Sequence, residues 1–425
     1  MATIHQEGVV PESVTPGTWL RFLVGSREAI LRIARCRQAL WLGLAFVLSA
    51  GFAREYDGVD LWHESWHLVL PLVASLGTSL VLWSLVYMVA ISRGLPELPF
   101  WASYRVLLTF YWMTAPLAWL YAIPVERFMS PGDATAANLW FLAAVSIWRV
   151  FLITRALSVW LNASFIATFF LVMFFADSVA IVLAFISPTP IFDMMGGIRL
   201  SEPDQILLNV TINIRILGTL SWPVWAIAAV IALAVAKSPW SITAEPSSTS
   251  HVAKPLWGVA SILLVLSFAL LPIGQPEQQL AYEAARLLRA NQLDAAVDYM
   301  SQFPCEAFPP IWDPPPRVGY DEDTPAVTEV FAAIERHEAK PWVRELYIDK
   351  LTQDPRKAFG DAVPRGAEDN SDRFAVLLAV YEKFVPVDSL NREQWEELYR
   401  VAEDDRLGVA LRDRLKAYLG NRKDR

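Results

Sequence analysis

Two groups of residues in this chain have types and spacing that could do chemistry. The first is His63-Glu64-Ser65-Trp66-His67. On a helix, positions i and i+4 share a face, so both imidazoles could bind one zinc ion while Glu64 acts as general base on the bound water. A third ligand is then required, and Asp193 in the stretch PTPIFDMMGG is the candidate. The second group is Arg149 and Asp177, two opposite charges set in long apolar segments. Counted inward from Asn138 and Ser187 at ~1.5 Å per residue, both lie about 15–16 Å deep in adjacent antiparallel helices. A charge left alone at that depth costs at least ~2.5 kcal/mol, so the two are expected to form an ion pair facing the bundle.

The elements that must position these residues are apolar runs. They fall at Ala39–Ala53, Leu68–Ile91, Val106–Pro124, Leu139–Leu157, Trp160–Ile186, Ile216–Ala236 and Leu256–Ile273. Roughly 20 apolar residues in a helix cross the hydrocarbon core of a bilayer, and seven runs predict about seven spans. With the N-terminus inside, the inner segments carry ten Lys or Arg and the short outer loops four, in keeping with the positive-inside rule. An odd span count then puts the C-terminal part outside the cytoplasm. Trp62, Trp66, Trp101, Trp140, Trp240 and Trp257 fall at expected span ends, where an amphipathic ring favours the headgroup level. Pro116 and Pro223 interrupt the third and sixth runs and can kink them. The basic stretch before Arg37 reads as a cytoplasmic flank, Ser238–Lys254 as a flexible inner loop, and ILLNVTINI as an amphipathic surface segment.

The pentad at His63–His67 resembles the zincin signature, and PTPIFDMMGG faintly resembles the second motif of intramembrane metalloproteases. Those resemblances imply a zinc peptidase with His63, His67 and Asp193 as metal ligands and Glu64 as catalytic base. Here, however, Gly does not directly follow Asp193, and the pentad precedes a span where that family sets it within one. Two Trp and two His at a span end also fit interfacial anchoring, which the sequence favours.

From Pro276 the composition changes. This part holds 21 basic and 29 acidic residues and so carries the whole net charge of −8. It has no basic stripe of the kind that binds nucleic acid. LLRANQLDAAVDYM resembles the helix-turn-helix of a tetratricopeptide repeat, with Asn291 where that repeat prefers Gly, Leu293 at its turn position and Ala296 as its small residue. The resemblance covers one unit, and no 34-residue period follows. A proline-rich loop, Phe303–Pro325, comes next, then helices over Ala326–Ala339, Pro341–Thr352, Ser371–Phe384, Arg392–Ala402 and Arg406–Leu419. Thr324 is the expected N-cap of the first of these. Cys36 and Cys305 fall in different segments, so no disulfide framework is expected. No Walker loop, Rossmann fingerprint, CxxC pair or G-x-S-x-G occurs.

The sequence therefore reads as an all-α protein in three parts: a basic cytoplasmic segment (1–38), a polytopic transmembrane helix bundle (39–273) and a soluble, extracytoplasmic helical domain (274–425). Its partners are the lipid bilayer and a protein bound by the acidic domain, which makes it a non-enzymatic anchor or assembly component that needs no cofactor. The alternatives are the zinc metallopeptidase and a small-solute or ion transporter built on Arg149 and Asp177.

Overall fold

The structure is a computed structural model that describes residues 13–52, 61–95, 98–123, 125, 128–186, 202–236, 239–245, 247, 249–274, 276–309, 312–316, 327–353, 359, 371–404 and 407–420. Asp193 and Thr324 lie outside these. The chain divides into two compact units, one reaching to Gln275 and the other running from Pro276 onward. Among the described residues, both are all-α apart from one pair of two-residue strands.

The first unit contains β1 (Ser13–Val14), α1 (Pro16–Leu23), α2 (Arg27–Arg35), α3 (Ala39–Ala50), α4 (Leu70–Ser92), α5 (Phe100–Met113), α6 (Pro131–Trp160), α7 (Phe165–Ile186), α8 (Glu202–Val235), β2 (His251–Val252) and α9 (Lys254–Gly274). Among the described residues, four helical stretches are long and apolar enough to cross a membrane: Ser65–Ser92, Pro131–Trp160, Phe165–Ile186 and Gln205–Val235. Ala39–Ala50 and Lys254–Leu270 are apolar but shorter. Four such stretches stand where seven were expected, and proline explains part of the difference. The run Val106–Pro124 ends its α-helix at Met113 and continues as a tighter 3-10 turn over Ala115–Ala122, with Pro116 near its start. Proline lacks an N–H and restricts the residue before it, so it fits a first turn and breaks a helix interior. Pro223, by contrast, sits inside continuous α8. That helix begins at Glu202 and takes ILLNVTINI into itself, so this stretch is no separate surface segment.

The polar connections at one end of this unit are tied together. Ser247 N donates to Arg35 O at 2.8 Å, Trp240 N to Arg93 O at 3.0 Å, and Thr243 N to Trp160 O at 2.9 Å. The Trp160 indole donates to Ala244 O at 3.0 Å, and β1 pairs in parallel with β2 through Val14 and Val252. The stretch after α8, expected as a flexible loop, is thus a strap that supplies partners to buried backbone groups. Trp240, expected at a membrane interface, is buried in this core, while Trp62, Trp66, Trp101 and Trp140 are exposed. The described part of the basic N-terminal stretch is packed. α1 and α2 form a hairpin that buries Phe22, Ile30 and Ile33 completely among α3, α5 and α6.

The second unit contains α10 (Pro276–Arg289), α11 (Leu293–Gln302), α12 (Val327–Arg336), α13 (Pro341–Gln353), α14 (Ser371–Phe384), α15 (Arg392–Ala402) and α16 (Val409–Gly420). Asn291 turns α10 into α11 with φ +56°, a left-handed conformation that Asn tolerates better than most residues. α10 packs on α11, α11 on α12 and α12 on α13, while α14 packs on α12 and α16, around Phe331, Tyr347, Phe374 and Tyr381, all buried. The proline-rich loop is pinned to α13. Lys350, only 8% exposed, donates to Asp313, to Pro314 O and, at 3.3 Å, to Pro316 O, while Tyr347 donates to Pro315 O at 2.8 Å. Replacing Lys350 by Ala would leave buried carbonyls without a donor. Lys350→Ala is expected to cost about 2 kcal/mol and Tyr347→Phe about 1 kcal/mol in denaturant titration. A Lys350→Ala protein as stable as wild type would remove the pin from the account.

Candidate functional site

One set of polar side chains in the first unit lies in the seam between α7 and α8. Gly218 makes the seam possible, because a Cβ there would stand 2.8 Å from Ile181 Cγ1 and 3.2 Å from Asp177 Oδ1. With no side chain in the way, α8 approaches closely enough for Ser221 Oγ to donate to Asp177 Oδ2 at 2.7 Å. One residue on, Trp222 Nε1 donates to Ser178 Oγ at 2.8 Å, and that hydroxyl donates to Phe174 O at 2.7 Å. Arg215 closes the seam one turn earlier, giving Nε to Ala184 O at 2.8 Å with its guanidinium 5.2 Å from the Phe185 ring centre. Pro223 follows directly and removes the donor that Thr219 O would otherwise meet four residues on. The result is a half-buried carboxylate in an apolar helix pair, beside a hydroxyl and a backbone carbonyl lacking its helical donor.

Arg149 is not its partner. The guanidinium of Arg149 lies 4.8 Å from the ring centre of Tyr111 on α5, and Tyr111 OH stands 3.2 Å from Thr78 Oγ1. Counting depth fixes the level of a residue along its helix but says nothing of rotation about the axis. α7 turns its Asp177 face toward α8, and α6 turns its Arg149 face toward α5. The expected direct ion pair is therefore replaced by two separate solutions, a charge-assisted hydrogen bond for the acid and an aromatic face for the guanidinium.

The pentad at His63–His67 does not lie on an α-helix. His63 is in a turn, and Ser65–Leu68 forms one 3-10 turn ahead of α4. Pro71, in the first turn of α4, favours that position and opposes extending the helix backward over the histidines. His67 stacks on Trp66 at 3.7 Å between ring centres, and its Nε2 stands 3.9 Å from Glu64 Oε2. The i, i+4 geometry that would aim His63 and His67 at one metal is thus missing. Among the described residues no three His, Cys, Asp or Glu side chains gather as a metal site.

In the second unit, α11 and the end of α12 share a small charged cluster. His337 Nε2 is 3.2 Å from Asp294 and Nδ1 is 3.0 Å from Asp298, while Arg336 contacts Asp294 at 2.6 Å. The Arg336 hydrogen bond chiefly holds the Asp294 carboxyl below its ordinary range, with desolvation opposing it. Every member is at least partly exposed, which fits a surface clasp between helices rather than a reaction centre. Protein families, curated proteins and solved structures offer no match to this chain.

The separation of Arg149 from Asp177 has a measurable consequence. In detergent, the stability losses of Arg149→Gln and Asp177→Asn are expected to add to within about 0.5 kcal/mol in the double variant. A coupling above about 1 kcal/mol would mean that the two residues interact after all.

Proposed function

We propose that this chain is an integral membrane protein whose first unit anchors the second, and that the second docks a protein partner on the outer side. One observation carries the membrane reading. The four long helices have mean hydropathies of 1.7 to 2.6, yet only 11 to 22% of each apolar window is buried within the protein. Their outward surfaces hold residues such as Val81, Leu142, Leu183, Leu220 and Ile227, and water would not tolerate apolar area on that scale. Lipid would. The orientation follows from charge: the strap gathers Arg35 and Arg93 at the end where the basic segments meet, and positive charge favours the cytoplasmic side.

The docking reading rests on the second unit itself. It packs its helices around its own core, it is acidic, and it exposes Val376, Tyr399 and Val409. Such a surface suits a partner with a basic face. A second reading, a small-solute or ion carrier, draws on the Asp177–Ser221 seam beside Pro223. An ionisable group in a membrane helix is a functional candidate by default.

Reporters fused after Lys254 and after Arg425 are expected on opposite sides of the membrane, with the protein resistant to alkaline extraction. A photo-crosslinker placed at Val376 or Tyr399 should trap one discrete partner, and one placed at Trp140 should not. Both reporters on one side, or release by alkali, would contradict the reading.

A further inference from the structure

The N-terminal hairpin meets α6 at a particular level. Trp148 Nε1 donates to Leu23 O at 2.8 Å, and Arg155 Nε donates to Gly25 O at 3.3 Å. Gly25 itself adopts φ +76° and lies so close to Arg155 that a Cβ would be 3.2 Å from its Cγ. The tip of the hairpin is therefore fixed against the stretch of α6 around Trp148.

That level coincides with a change in the environment of α6. The helix has 30 residues. At ~1.5 Å per residue it is about 45 Å long, some 15 Å more than a hydrocarbon core. The excess amounts to about ten residues. From Leu152 to Trp160 nearly every α6 side chain is buried by protein, whereas Trp140, Leu142, Ile147, Trp148 and Phe151 are exposed. The protein-covered end thus matches the part that a bilayer would leave outside. The boundary falls near Phe151, at the hairpin tip. There Leu20 and Val24 are 56% and 76% exposed, while α2 turns its own apolar face inward. Basic residues surround this apolar tip. The hairpin and its flank, residues 13–37, contain five Arg and a single acid, Glu28. Arg21 and Arg27 flank the turn and are exposed.

We infer that the tip of the α1–α2 hairpin seats in the cytoplasmic headgroup layer, with Leu20 and Val24 in the upper acyl region and Arg21 and Arg27 on the phosphates of anionic phospholipid. Charge complementarity identifies the occupant: an apolar tip ringed by guanidiniums fits an anionic lipid surface, and a zwitterionic one offers no net attraction. Arg149 then lies close to the headgroup level, which relieves the cost of its charge. The inference rests on the membrane reading above.

The test uses the full chain in detergent micelles with phosphatidylglycerol or phosphatidylcholine added, and native mass spectrometry counts the retained lipid. Wild type is expected to prefer phosphatidylglycerol. Each arginine near an anionic surface contributes roughly fivefold, so Arg21→Gln with Arg27→Gln should weaken that preference by about 25-fold. Lys416→Gln, in the second unit, should leave it unchanged. Equal retention of both lipids by wild type, or an unaltered preference in the double variant, would overturn the inference. So would displacement of the lipid by inorganic phosphate, which would indicate a free-anion site. A chain that stays soluble and monodisperse without detergent would instead defeat the membrane reading itself.

Discussion

Apolar helix surface that has no protein to cover it is the constraint on which the first unit depends. α4, α6, α7 and α8 are apolar both inside and out, so the inner faces cannot be sorted from the outer ones by hydrophobicity. What sorts them is close approach and polar satisfaction. Gly43 admits the Trp112 side chain, where a Cβ would stand 2.8 Å from Trp112 Cβ, and Gly218 does the same for Ile181. Small residues let helix backbones meet where burial alone gives no preference. The hydroxyls inside these helices return to their own backbones, as Thr78 does to Ala74 O at 2.7 Å and Ser84 to Leu80 O at 2.8 Å. Each such bond satisfies a hydroxyl that sits on an apolar helix.

The ends of the helices pose the complementary problem, since their last carbonyls have no intrahelical donor. The strap between α8 and α9 answers it at one end. It accepts the Trp160 indole, donates to Arg93 O and Trp160 O, and reaches β1 and Arg35. The Arg93 guanidinium donates to Ala236 O at 2.7 Å and so caps the end of α8 as well. The basic residues of this end therefore have structural work beyond any effect on orientation.

Legibility in the sequence followed the range of the interactions. In the second unit, Ser371–Phe384 and Arg392–Ala402 are readable because their boundaries are set locally. Asn391 and Gln394 form a reciprocal cap at 2.9 and 2.8 Å, and Asn291 marks its own turn. Apolar runs disclosed that the first unit has membrane-length helices. Pro116 marked an interruption in one run, but hydropathy is blind to a missing N–H and did not show that the α-helix ends there. The strap was unreadable, since its partners lie about 80 to 240 residues away in sequence, as with Trp160 to Ala244 or Val14 to Val252. The site was legible only in part. Asp177 drew attention as a charge among apolar residues, but its donor Ser221 could be found only by noticing that Gly218 and Ser221 share a helix face. The histidine pentad was ambiguous for the opposite reason, because a five-residue pattern carries no information on whether a helix runs through it.

The claim that lipid covers the outward helix faces is open to one direct measurement. Spin labels at Leu142, Leu183, Leu220 and Ile227 in protein reconstituted into vesicles would be scored for collision with oxygen and with a water-soluble nickel chelate. The account predicts high oxygen and low chelate accessibility at all four positions. Chelate accessibility equal to that of a label at exposed Val409 would mean that water, and not lipid, covers these faces.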